Sequence, residues 1–142
     1  MKSLLAVIAD LYTPVLIASL LVGVGAIANA QRPLLIGVLK SLLVLLIWVY
    51  GLMILDTVLM IWPRWSLDYS THTALALALI WALVKVRKAH KKYSIASMVL
   101  YGQIMVVMNY HTWQDIITTA LAMTVAILFV EWRWFYRRCQ IP

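Results

Sequence analysis

Residues 4–30 and 33–62 are two nearly continuous apolar stretches, interrupted by charge only at Asp10 in the first and at Lys40 and Asp56 in the second. A helix of about 20 apolar residues crosses a bilayer core, so each stretch is long enough to span one. Composition agrees: 65% of the 142 residues are hydrophobic and 12% charged, against roughly 45–50% and about 25% in soluble domains. A soluble globule, a disordered tail and a collagen-like fibre are excluded together. Three shorter apolar segments follow at 70–85, 94–110 and 113–135, with Trp and Tyr ends that suit membrane interfaces. The sequence predicts one all-α integral membrane domain over 1–142, a bundle of about five transmembrane helices. Pro33 is placed as a first-turn proline, and Lys40 lies close enough to a helix end to snorkel. Residues 1–13 either begin the first span or lie along the interface. No cleavable signal, internal repeat or low-complexity tract is expected.

Twelve Lys and Arg against five Asp and Glu give a net charge of +7. On a soluble chain that excess would suggest nucleic acid; here it is an orientation signal, and no nucleic-acid partner is expected. Five crossings put Arg32, Lys40, Lys85, Arg87, Lys88, Lys91, Lys92, Arg133, Arg137 and Arg138 on one side and leave Lys2 and Arg64 on the other. The positive-inside rule makes the crowded side cytoplasmic, C-terminus included, in a plasma membrane such as the bacterial inner membrane. The run Lys85–Lys92 reads as a topology determinant attracted to anionic lipid heads. The stretch Trp132–Arg138 reads as an interfacial anchor, and Met98, Met105 and Met108 as packing residues. One cysteine, Cys139, excludes a disulfide framework. With no zinc-spaced Cys/His cluster, neither a metal nor another cofactor is expected.

Ionisable groups at membrane depth are functional candidates by default, and two clusters lie on the cation-poor side. The first runs from Arg64 through Asp68, Ser70, Thr71 and His72, opening the third helix. The second runs from Asn109 and Tyr110 through His111 to Asp115, opening the fifth. His111 and Asp115 are four apart, so on a helix they share a face and the carboxylate can orient the imidazole. Ser70 and Thr71 stand at a helix start, where free amides and the dipole favour an anion such as phosphate. Helices three and five begin on the same side, which brings His72 and His111 to similar depth. Two imidazoles and a carboxylate suit phosphoryl transfer: one His attacks phosphorus, the Asp fixes its tautomer, and the other His protonates the leaving oxygen. Arg64 would complement charge on the equatorial oxygens.

Ser70-Thr71-His72-Thr73, followed 39 residues later by His111-x3-Asp115, resembles the second and third motifs of the type-2 phosphatidic acid phosphatase superfamily. The phosphatases carry Pro-Ser-Gly-His and Ser-Arg-x5-His-x3-Asp; the sphingomyelin synthases, with Ser-Gly-His-Thr and His-Tyr-Thr-x-Asp, look closer. The resemblance covers about residues 60–135. It implies a lipid phosphatase or phosphotransferase acting on a lipid phosphate, with His111 as nucleophile, Asp115 as its partner and His72 as acid and then base. The motif-3 serine and arginine positions hold Ile104 and Met105. Motif 1, Lys-x6-Arg-Pro, has no full match: Arg32-Pro33 reproduces its end, but Gly25 stands where the lysine would, and topology puts Arg32 on the opposite side.

Other readings stand beside these. Arg64, between Trp62 and Trp65, suits an interfacial anchor as well as a phosphate ligand. Asp56 can line the site or bond Thr57 or a neighbouring helix. Asp68 suits a helix N-cap or loop acid, Ser70 and Thr71 position the backbone whether or not the site is catalytic, and Asn109 and Tyr110 can line the site. Two functions from other classes compete. One is a non-enzymatic transporter, scramblase or assembly subunit; the other is an electron carrier with His72 and His111 as axial haem ligands.

Overall fold

The structure, a computed structural model, describes residues 2–133. Five α-helices follow one another: α1 (Lys2–Ile27), α2 (Arg32–Leu59), α3 (Thr71–Val86), α4 (Lys91–Val107) and α5 (Trp113–Glu131). Single 3-10 turns occupy Pro63–Trp65 and Lys88–His90. The end of the expected last span, most of the aromatic and cationic anchor, and Cys139 lie outside the described residues.

Three helices are long and apolar enough to cross a membrane: Leu4–Ile27, Arg32–Leu59 and Trp113–Glu131, with mean hydropathy 2.1, 2.4 and 1.6. The other two are shorter, 16 residues in α3 and 17 in α4. At 1.5 Å per residue they reach about 24–26 Å, less than the roughly 30 Å of a bilayer core. For α3 the reason is its place at the centre of the bundle, where it packs against each of the other four helices. Ala74, Ala76, Ala78 and Ala82 are fully buried on it, and small side chains let neighbouring backbones approach closely. The outer helices instead turn Leu21, Leu43, Ile47, Val58 and Leu121 outward, a surface suited to lipid.

Contacts at the two ends fix the helix directions. Glu131, closing α5, accepts from Trp81 Nε1 at 2.8 Å and pairs with Lys85 at 2.6 Å, both in the last turns of α3. At the other end Asp115, opening α5, accepts from the backbone N–H of Asp68, just before α3, at 2.8 Å. Thus α3 and α5 run in one direction. Helix α1 runs with them, since Tyr12 stacks on Tyr101 near the end of α4 (centroids 4.1 Å apart) while Gly23 meets Val86. Helices α2 and α4 run in the opposite direction, between them. Helix α1 is unbroken through Pro14, so residues 2–13 belong to the same helix as the rest of the expected first span and do not form a separate one.

Local chemistry sets the boundaries near the candidate residues. Ser70 is the N-cap of α3, its Oγ accepting from Thr73 N–H. Thr112 caps α5 in a reciprocal capping box with Asp115. Helix α4 stops at Asn109, which adopts φ 58°. There Asn109 N–H donates to Val106 O and Tyr110 N–H to Met105 O, the Schellman pattern that calls for a left-handed residue.

The crossing of α1 over α3 depends on the missing side chain of Gly23, where an added Cβ would lie 2.9 Å from Val86 Cγ1. Gly23→Val should lower stability by about 1–3 kcal/mol through overpacking, and Val86→Ala in the same chain should recover most of that loss. Thermal unfolding of the single and double variants in detergent checks this.

Candidate functional site

The site begins with the Asp115 carboxylate, which is 5% exposed and accepts three hydrogen bonds. Oδ2 receives the backbone N–H of Thr112 at 2.7 Å and the Thr112 hydroxyl at 2.8 Å; Oδ1 receives the backbone N–H of Asp68 at 2.8 Å. One carboxylate therefore caps its own helix and clasps the loop before α3 to the loop before α5. A second clasp runs beside it, Ser70 N–H donating to Thr119 Oγ1 at 3.1 Å. Trp62 Nε1, donating to Thr118 Oγ1 at 3.1 Å, anchors the far side of the same loop.

Clasped this way, the two loops bring His72 and His111 to one open cavity of about 300 Å³. It is lined by Ala9, Asp10, His72, Tyr101, Met105, Tyr110 and His111. The expected meeting of the two histidines is found at the N-terminal ends of α3 and α5. Asp10, which sequence reasoning left without a role, joins them from α1. Its only sequence signal was a charge inside an apolar span. Tyr101, just 2% exposed, is among the lining residues, and its buried hydroxyl has no hydrogen-bond partner among the described residues.

His111 differs from its expected setting in one respect. It precedes the N-cap Thr112 and so lies outside α5, and it does not share a helical face with Asp115. The carboxylate beside its ring is that of Asp68, whose Oδ2 lies 3.3 Å from His111 Nδ1, at ion-pair distance but without hydrogen-bond geometry. The His111 side chain is 10% exposed and Asp68 68%. Burial pushes the imidazole below its usual 6.5; the nearby Asp68 and Asp115 carboxylates oppose that shift, and His72 adds to it. Burial therefore favours the uncharged form of the His111 ring.

Several sequence candidates have structural employment instead. Ser70 is fully buried, its hydroxyl donating to Thr73 Oγ1 at 2.8 Å, so it is not open to a phosphate. Thr71 N–H donates to Tyr69 O, Thr73 N–H to Ser70 Oγ and Ala74 N–H to Ser70 O, so the start of α3 spends most of its amides internally. Thr71 itself is half-buried. Asp56 does not line the cavity: its carboxylate accepts Trp62 N–H at 2.8 Å and closes the turn after α2. Asp68 is a loop acid and not the cap of α3. Asn109 is the left-handed residue ending α4, while Tyr110 does line the cavity. Arg64 lies in the exposed 3-10 turn and is not among the described lining residues; its neighbours Trp62 and Trp65 line a separate cleft with Gln114 and Thr118.

Among the described residues no three His, Cys, Asp or Glu side chains are grouped to hold a metal ion. Comparisons with protein-family models, curated proteins and solved structures return no match to this chain.

Asp115→Ala removes three charge-assisted bonds and should cost on the order of 3 kcal/mol, well above the ~1 kcal/mol of Thr112→Ala, both read by unfolding in detergent. In an NMR titration, Asp68→Asn should lower the His111 pKa further and His72→Gln should raise it. Because burial depresses the folded value, the unfolded chain protonates first. Stability should fall as pH drops through about 6.5 towards the folded value, and His111→Gln should flatten that slope.

Proposed function

We propose that this chain is a membrane lipid phosphatase or phosphotransferase, akin to the type-2 phosphatidic acid phosphatases and closer to their sphingomyelin-synthase branch. The observation that carries the reading is the convergence of His72 and His111 on one cavity. In its uncharged form, which burial favours, His111 attacks the phosphorus of a lipid phosphate or phosphodiester through Nε2, since Nδ1 faces Asp68. The N–P bond forms, the P–O bond to the leaving group breaks, and His72 donates its proton to the leaving oxygen. Water or an alcohol then attacks the phosphohistidine, gives its proton to His72, and the N–P bond breaks. The Asp68 carboxylate balances the charge that develops on the His111 ring. Asp115, the nucleophile's partner by the resemblance, acts instead as a positioning residue that holds the two loops together. The Tyr101 hydroxyl supplies a donor to a phosphate oxygen, and Arg64 serves as an interfacial anchor.

In this reading all five helices cross a plasma membrane of the bacterial inner-membrane type. The histidine cavity faces outside and the lysine-rich end faces the cytoplasm. One observation favours a second reading: Asp10 lines the cavity while no Lys or Arg does among the described residues. That lining suits a proton or cation path, as in a non-enzymatic transporter or assembly subunit.

Incubation with a panel of headgroup-labelled phospholipids, with and without alcohol acceptors, separates the two. The enzyme reading expects an acid-labile phosphohistidine mapping to His111, absent in His111→Ala, and turnover reduced about 10²–10⁴-fold in His72→Ala. Undiminished turnover in both membrane-inserted variants would overturn it. Orientation has its own check: in a Cys139→Ser background, Tyr110→Cys should label from outside the cell and Lys88→Cys only after permeabilisation.

A further inference from the structure

The bundle end opposite the histidines holds another cavity, of about 440 Å³, where the last turn of α3, the turn Lys88–His90 and the start of α4 meet the end of α5. Lys85, Lys88 and Lys91 line it, with Trp81 and Ile95 as apolar wall and Glu131 as the one acid. That carboxylate is engaged by Lys85 and by Trp81 Nε1, so three lysines against one glutamate leave an excess of two positive charges in the lining. Lys88 and Lys91 are exposed. A neighbouring cavity of about 390 Å³ shares Lys85 and Lys88 and extends the basic surface toward Gln31 at the start of α2. Helix α4 begins here with no acid in its first turn and no side-chain cap, so its dipole adds to the positive potential.

We propose that this cavity binds the headgroup of an anionic glycerophospholipid, its phosphodiester held between Lys88 and Lys91. Two features separate such a site from a diffuse orientation signal. The lysines surround a concavity and are not merely spread along a loop; Lys92, in the same run, is outside the lining. The wall is also amphiphilic. Ile95 is 52% exposed on α4 and, with Trp81, puts apolar surface beside the lysines against which an acyl chain would pack. Basic pockets between transmembrane helices recognise anionic headgroups. A free phosphate would use the lysines but gain nothing from Trp81 and Ile95. The site stands apart from the histidine cavity and does not depend on its chemistry.

The test uses the full chain in detergent, equilibrated with vesicles of phosphatidylcholine alone or mixed with phosphatidylglycerol, with bound lipid counted by native mass spectrometry. Phosphatidylglycerol should be retained in preference to phosphatidylcholine. That preference should fall roughly fivefold in Lys88→Gln and again in Lys91→Gln, and hold in Lys92→Gln. Excess inorganic phosphate should leave the adduct in place. An equal fall in Lys92→Gln, or no preference in the unaltered chain, would overturn the proposal; displacement by inorganic phosphate would overturn the lipid assignment.

Discussion

A single buried carboxylate organises one end of this bundle. Asp115 accepts from Thr112 twice and from Asp68 once. That makes it the join between two loops 47 positions apart in sequence. Such bonds are strong because acceptor and site are desolvated together, and breaking them would leave a charge with no water to receive it. Everything at the histidine cavity depends on this join. His111 stands one residue before Thr112, Asp68 is the clasped residue itself, and His72 begins the helix that the clasped loop enters. The carboxylate works by fixing where other groups stand, without facing the imidazole it was expected to orient.

Helix order and length were legible in the sequence, because apolar runs bounded by Pro33, Ser70 and Thr112 leave little freedom to a chain of this composition. The shared position of His72 and His111 was legible too, since alternation of crossings fixes which helix starts lie together. What could not be read is how polar atoms are divided once the loops fold. A spacing of four implies one face only if both residues are helical, and the capping box takes Thr112 as the boundary, so His111 falls outside. Ser70 looked like a phosphate ligand because helix starts bind anions, but its hydroxyl was needed to cap α3. Asp56 looked like a lining residue and closes a turn. Asp10 was the reverse case: no motif surrounds it, and only the packing of α1 against α3 and α4 brings it to the cavity.

The two ends of the bundle divide the charge between them. One end gathers Lys85, Lys88 and Lys91 around Glu131; the other holds imidazoles, aspartates and tyrosines with no Lys or Arg in its described lining. Burial lowers the His111 pKa in that setting. An uncharged imidazole suits nucleophilic attack, and under the proposed phosphoryl transfer the stabilisation of phosphate charge would fall to neutral donors and to His72. The central α3, with Ala74, Ala76, Ala78 and Ala82 fully buried on it, connects the two ends.

The claim at the centre of this account is that His72 and His111 form one site for a phosphoryl group. Orthovanadate, a tetrahedral phosphate analogue that becomes pentacoordinate when a nucleophile adds to it, tests it through the imidazole NMR signals of the labelled full chain. The account predicts that the His72 and His111 signals shift together at one vanadate concentration, while His90 at the opposite end does not move. Independent shifts of the two signals, or no shift of either, would contradict it.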